Sequence, residues 1–318
     1  SDVIFTAGGT EANNLAVKGI VLAALADGRR HLVTSRIEHE SILESASYLG
    51  RFHDVQVTFV PLDDTGRVLP DALAAAIRPE TALVTLGHAN NEIGTVQDAA
   101  GLSAVTAEAR VPLHLDAVQS AGWLALDGLG ADAISIAGHK LGAPKGIGAL
   151  TVRGRVALEP LLHGGGQERG RRSGTENVAG AVGLARALEL AEAERASASA
   201  AVGAATAQFI ARVLSTVPQA ALTGSPDARL PGTASFTFAG VSGESVLLEL
   251  ERRGVISSSG SACAAGSDEP SHVLLACGIA PAVAQSAVRF TFGRTPLPAD
   301  APERLAALVA ASVSAVTG

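Results

Sequence analysis

Short, nearly unbroken apolar runs recur along the first half of the 318-residue chain, at Val3–Thr6, His31–Thr34, Val55–Val60, Ala82–Leu86, Pro112–Leu115, Ala133–Ile136 and Ala149–Val152. Runs of this length without polar alternation read as strands buried on both faces. Between them, Glu11–Ala26 and Ala99–Ala109 carry apolar residues at helical spacing. Alternation of this kind predicts an α/β fold, a mainly parallel sheet flanked by helices. After Gly174 the texture changes. Asn177–Arg195 and Ala198–Val217 read as two long alanine-rich helices, Ala234–Phe238 and Val288–Phe292 as strands, and Arg304–Val316 as a last helix. The expected organisation is a large domain over residues 1–194 and a smaller α+β domain over residues 195–318.

Composition narrows the function classes. Hydrophobic residues make up 47% of the chain, enough for a substantial core. A net charge of −7 and a pI near 5.6 argue against direct nucleic-acid binding, which favours a basic face. Two cysteines cannot build a disulfide framework, so a reducing compartment, the cytoplasm, is expected. No apolar run approaches the roughly 18 residues of a membrane span, and the start carries no signal-peptide pattern. The chain opens inside a strand-like segment and contains no methionine, which reads as a fragment of a longer protein.

Candidate chemistry sits where the expected strands end. The chain has only three lysines against 21 arginines, and two of them, Lys140 and Lys145, fall in "SIAGHKLGAPKG". A lysine kept in an arginine-rich chain suggests a need for an amine, which forms a Schiff base where a guanidinium does not; a solvated loop lysine is the plainer alternative. "FTAGGTEANN" places Gly8, Gly9 and Thr10 between a strand and a helix, as a phosphate cradle or simply a tight turn with a helix cap. His39 follows a strand in "IEHES", Asn90 and Asn91 follow another, and "HLDAVQS" ends a strand on Asp116 with Gln119 three residues on. Singly, each has a structural explanation: a buried histidine, a turn, a helix cap. Together, a lysine, a carboxylate, a phosphate cradle, a histidine and an asparagine form the set that pyridoxal phosphate requires.

The ordered motifs GGTE, EH, NNEIG, DAVQS, GHK, GGGQERGRRSGTEN and SSGSAC make the chain resemble the cysteine desulfurases, in the class V aminotransferase group of fold-type-I pyridoxal phosphate enzymes. The resemblance runs from the first residues to about Arg294. It is most specific at residues 164–177 and 258–274. It implies that Lys140 is the Schiff-base lysine and that Asp116 pairs with the pyridine nitrogen. His39 would stack on the ring and move protons, Asn91 and Gln119 would contact the ring-oxygen side, and Gly9, Thr10 and His139 would hold the phosphate. Thr175 would reach the phosphate of a partner subunit, which implies a homodimer. Arg289, in "SAVRFTFGR", would clamp the substrate carboxylate, with Asn91 beside it.

Cys263 stands among serines, glycines and alanines without apolar periodicity, whereas "LLACGI" makes Cys277 an ordinary buried cysteine. The resemblance makes Cys263 the nucleophile that takes sulfur from L-cysteine, leaving L-alanine and a persulfide. A sulfur-acceptor protein, an iron–sulfur scaffold or a tRNA-thiolation enzyme, would follow. The sequence departs from the family in three ways. Ala137 stands where a phosphate-binding serine is common, a tyrosine after the lysine is absent, and the family's N-terminal part is missing. A selenocysteine lyase or aminotransferase of the same group shares every feature except Cys263 and its surroundings. A catalytically silent interaction protein is the alternative outside enzymes, and the presence of Lys140, Asp116, His39 and Cys263 together counts against it.

Overall fold

The computed structural model describes residues 2–259 and 269–317. The chain divides into two compact units, one of Ser1–Pro61, Val68–Ala89 and Gln97–Ala193, the other of Leu62–Arg67, Asn90–Val96 and Glu194–Gly318.

The first unit is built on seven strands: β1 (Asp2–Thr6), β2 (His31–Thr34), β3 (Gln56–Phe59), β4 (Thr81–Gly87), β5 (Leu113–Asp116), β6 (Ala133–Ala137) and β7 (Gly148–Val152). Their order in the sheet is β1-β7-β6-β5-β4-β2-β3. Strands β3, β2, β4, β5 and β6 pair in parallel, while β7 runs against both β6 and β1. Strand β1 therefore points the same way as the parallel five, and six carboxyl ends share one edge. Helices α1 (Gly9–Asn14), α2 (Ile20–Ala24), α3 (Glu40–His53), α4 (Pro70–Ala76) and α5 (Ala99–Ala109) belong to this unit, with the first part of α6 (Val178–Thr216). Every residue of β2 and β5 is buried, as their lack of alternation implies. On one side Leu15, Val17, Ile20 and Val21 pack with Ile42 and Leu49 of α3. Another cluster joins Leu184 and Ala191 of α6 to Ile136 and Ala149 of the sheet. Each such leucine or isoleucine contributes about 1.5–3 kcal/mol relative to exposure.

Two elements differ from the sequence reading. The helix expected over Glu11–Ala26 begins at Gly9 and passes through a π turn, Leu15–Gly19, before α2. Gly19 ends that turn where a Cβ would stand 2.7 Å from the Glu159 carbonyl oxygen, so only glycine permits the approach. The two alanine-rich helices are one, α6, 39 residues long. Nothing between Arg195 and Ala198 breaks it. The Ser197 hydroxyl donates back to the Glu194 carbonyl at 3.0 Å, so its polar group is satisfied within the helix.

The second unit carries an antiparallel sheet of β8 (Ala220–Leu222), β9 (Thr233–Phe238), β10 (Ser258–Ser259) and β11 (Val288–Thr291), in the order β10-β11-β9-β8. Helices α7 (Gly243–Arg252), α8 (His272–Ala276), α9 (Pro281–Ala284) and α10 (Ala301–Thr317) complete it. Its core centres on fully buried Phe209, whose ring meets Phe290, Phe292 and Phe236 edge-on at 5.1, 5.5 and 5.9 Å. No helix among the described residues is long and apolar enough to cross a membrane.

Candidate active site

In the first unit the sequence-expected residues gather along the edge where β1, β6, β5 and β2 end. After β1, the first intrahelical bond is that of the Ala12 N–H to the Gly8 carbonyl, so the amides of Gly9, Thr10 and Glu11 stand ahead of the helical ladder. Gly9 is packed so closely that an added Cβ would lie 2.8 Å from Val118 Cγ2 and 3.2 Å from Ala137 Cβ. The turns after β1, β5 and β6 therefore meet at this point. The carboxylate of Glu11 accepts the Ala7 N–H at 2.8 Å and pairs with Arg172 at 2.8 Å, which ties the glycine-rich segment after β7 to α1.

Beyond β6, Gly138–Lys140 forms a 3-10 turn that leaves His139 and Lys140 exposed. Gly138 is required there, since a Cβ would meet Ile147 Cγ2 at 2.8 Å and the Ile147 oxygen at 2.9 Å. Desolvation and the neighbouring Lys140 and Lys145 charges push the His139 imidazole below its ordinary value. Lys145 lies further along the same connection, also exposed.

Asp116 ends β5 and is 8% exposed. Its Oδ1 accepts the Val118 N–H at 2.9 Å and its Oδ2 accepts Asn13 Nδ2–H at 2.6 Å. Burial pushes its carboxyl above the usual range, opposed by those two bonds and by His39. No lysine or arginine pairs with it among the described residues. A buried carboxylate held only by neutral donors suits a ligand that brings its own ring cation. The amides of α1 and the exposed His139 imidazole suit a phosphate, and the exposed Lys140 amine suits a carbonyl carbon. Ala137 offers a methyl group where a hydroxyl would be a further phosphate donor.

His39 caps α3, and Glu38 beside it is 4% exposed. The Glu38 carboxyl accepts the Ser35 hydroxyl at 2.5 Å and the Gly87 N–H at 2.6 Å, clamping the turn after β2 to the end of β4. Burial raises its pKa from 4.5 to about 8, helped by the charge of Asp116 and opposed by the two hydrogen bonds. Between those values the folded chain binds this proton more tightly than the unfolded chain, so Glu38 costs stability increasingly as pH rises from 4.5 to 8. Glu38→Gln should flatten that slope, with a wild-type loss on the order of a few kcal/mol relative to the variant. Urea unfolding of both proteins at pH 5 and pH 8 measures it; parallel pH dependence would show that Glu38 is ionised throughout.

Gln119, half-buried, follows β5 on the same edge. Thr175 is exposed, as are Glu176, Asn177 and Val178 after it. Asn91 and Arg289 lie in the second unit, where Arg289 Nη1 donates to the Asn91 carbonyl oxygen at 2.9 Å from the middle of β11. Cys263 lies outside the described residues, beyond β10. Cys277 closes α8 as a free, buried thiol, and burial, then Asp63, Asp64 and Glu92, push its pKa up to about 11. It stays protonated and is a poor nucleophile.

Sequence reasoning did not single out Asn13, Ser41 or Glu38. The signal was present: Asn13 is one helical turn from Thr10, and Glu38 and Ser41 flank His39. The side chains of Asn13 and Ser41 link His39 and Asp116, residues 77 positions apart in sequence, and no local pattern announces that meeting.

The chain as a whole is similar to known proteins. The Aminotransferase class-V family matches residues 1–300. The cysteine desulfurase IscS of Dictyoglomus turgidum is 42% identical over 294 residues, covering 92% of this chain and 74% of that one. The IscS-like cysteine desulfurase of Mycobacterium tuberculosis is 43% identical over 315 residues, covering 97% and 80%. Among solved structures, a NifS-like protein superimposes with a TM-score of 0.89 at 30% identity over 99% of this chain and 83% of that one. A structure described as SspA in complex with cysteine gives 0.77 at 35% identity, over 93% and 82%. The chain belongs to the class-V aminotransferase family, among its cysteine desulfurases.

Proposed function

We propose that this protein is a pyridoxal phosphate-dependent cysteine desulfurase that converts L-cysteine to L-alanine and leaves the sulfur on Cys263 as a persulfide. The observation that carries the reading is the placement of Lys140 and Asp116 at the carboxyl ends of adjacent strands, on the edge where the Gly9–Thr10 amides also lie.

When bound, pyridoxal phosphate supplies an electron sink for bonds broken at the substrate α-carbon. The chain's own groups do the rest. The amides of Gly9 and Thr10, the Thr10 hydroxyl and His139 hold the phosphate, and Thr175 reaches the phosphate of a partner subunit. Asp116 keeps the ring nitrogen charged, held in place by Val118 and Asn13. Asn91 and Gln119 orient the ring-oxygen side, and Arg289 grips the substrate carboxylate through its planar fork. The Lys140 amine takes the α-proton. The Cys263 thiolate attacks the substrate sulfur, so the substrate C–S bond breaks as an S–S bond forms; cysteine plus a thiol becomes alanine plus a persulfide, with no outside oxidant or reductant. His39 handles protons at the same edge. The persulfide then passes to an acceptor protein, an iron–sulfur scaffold or a tRNA-thiolation enzyme, in a cytoplasm that keeps thiols reduced.

Asp116→Asn tests the ring contact. It keeps the side chain's size and removes its charge. Bound cofactor should be retained with weaker affinity, and exchange of the substrate α-proton with solvent should slow roughly a hundredfold or more. Unchanged exchange would reduce Asp116 to a helix cap.

A homodimer is part of this reading. Val178 and Val182, one turn apart at the start of α6, are 67% and 65% exposed, and Leu162 is 45% exposed. They lie close in sequence to Thr175, which must enter a neighbouring subunit. Sedimentation should give a dimer, and Val182→Glu should favour monomer and weaken cofactor binding together. A stable monomer with stoichiometric cofactor would contradict the arrangement.

A further inference from the structure

His39 is the N-cap of α3, and its Nδ1 accepts the Ser41 backbone N–H at 3.0 Å. The Ser41 hydroxyl oxygen lies 2.8 Å from the same nitrogen. That oxygen is also 3.0 Å from Asn13 Nδ2, which sends its other hydrogen to Asp116 Oδ2 at 2.6 Å. These directions are not interchangeable. An amide N–H only donates, so the Ser41 oxygen accepts from Asn13 and its own proton remains available to His39. A backbone N–H also only donates. The His39 Nδ1 thus faces two donors and keeps its lone pair, and the neutral ring carries its proton on Nε2.

We infer that Asn13 and Ser41 are positioning residues that hold His39 in the Nε2–H tautomer, so that neutral His39 offers the site a hydrogen-bond donor and not a base. The consequence rests on the desulfurase reading: His39 steadies negative charge developing on the substrate or thiol, while proton abstraction falls to Lys140. The tautomer itself is a property of this chain and is read without turnover. Asn13 and Ser41 touch no reacting atom in this scheme. Their effect passes through His39 and Asp116, and the buried position of both residues protects the relay from competing water.

The test is a long-range proton–nitrogen NMR spectrum of the purified, nitrogen-15-labelled full chain at a pH where the ring is neutral, with the His39 signals identified by their loss in His39→Gln. The wild type should show a pyridine-like Nδ1 and a pyrrole-like Nε2. The reverse pattern overturns the inference. Ser41→Ala keeps the backbone donor and removes the hydroxyl, so the two nitrogen shifts should move toward each other, and Ser41→Thr should restore them. Asn13→Leu does not touch His39, yet should move its shifts in the same direction, because the Ser41 hydroxyl is no longer oriented. Circular dichroism confirms that each variant is folded, and either variant alone suffices if the other fails that check. Shifts unchanged in a folded Ser41→Ala or Asn13→Leu protein overturn the relay. A wild type with the expected tautomer and no cysteine turnover leaves the relay standing and removes only the desulfurase reading.

Discussion

Lys140→Ala should yield a folded protein that no longer holds pyridoxal phosphate covalently and turns over cysteine roughly a thousandfold more slowly or worse. The argument is positional. Strand β6 delivers Gly138–Lys140 as a 3-10 turn at its carboxyl end, beside the strand that ends on Asp116, and leaves the lysine side chain exposed at that edge. Folding should survive, because removing an exposed lysine deletes no core contact. Lys145 is the internal control. It is equally exposed but lies beyond Pro144, on the connection returning to β7. Borohydride reduction followed by mass analysis should find cofactor on Lys140 in the wild type and in Lys145→Ala, and none in Lys140→Ala. Trapping that survives Lys140→Ala would overturn the assignment.

Cys263→Ser should separate sulfur transfer from every earlier step. A serine is nearly the same size, but its hydroxyl stays protonated near neutral pH while a thiol is partly ionised. The variant should still take up pyridoxal phosphate through Lys140 and still bind cysteine, since Arg289 and the ring contacts are intact. Persulfide should not accumulate, and cysteine-dependent alanine should fall by about two orders of magnitude or more. Cys277→Ser should leave both nearly unchanged, because that thiol is buried and raised to about 11. Near-normal turnover in Cys263→Ser would favour a lyase or aminotransferase.

The central strands were legible because β2, β4 and β5 are buried on both faces, and such strands must be almost wholly apolar. Their ends were legible for a related reason: Asp116 and the His139–Lys140 pair are polar residues that close apolar runs, where a parallel sheet opens toward a ligand. The unbroken α6 was not legible, since a run of alanines, serines and glutamates scores as helix without marking whether a turn intervenes at Arg195–Ala198. Gly19, which ends the π turn at Leu15–Gly19, is needed for a close approach to Glu159, far away in sequence. Asn13, Ser41 and Glu38 escaped for the same reason. Each looks like an ordinary helix or turn residue until the sheet brings the ends of β1, β2, β4 and β5 together.

The most direct measurement of the desulfurase account is the mass of the Cys263 peptide after cofactor-loaded protein meets one equivalent of L-cysteine without reductant, with alanine quantified in the same sample. The account predicts a Cys263 peptide heavier by one sulfur atom, a Cys277 peptide of unchanged mass, and alanine equal to the sulfur gained. Alanine without sulfur on Cys263, or no alanine at all, would contradict it.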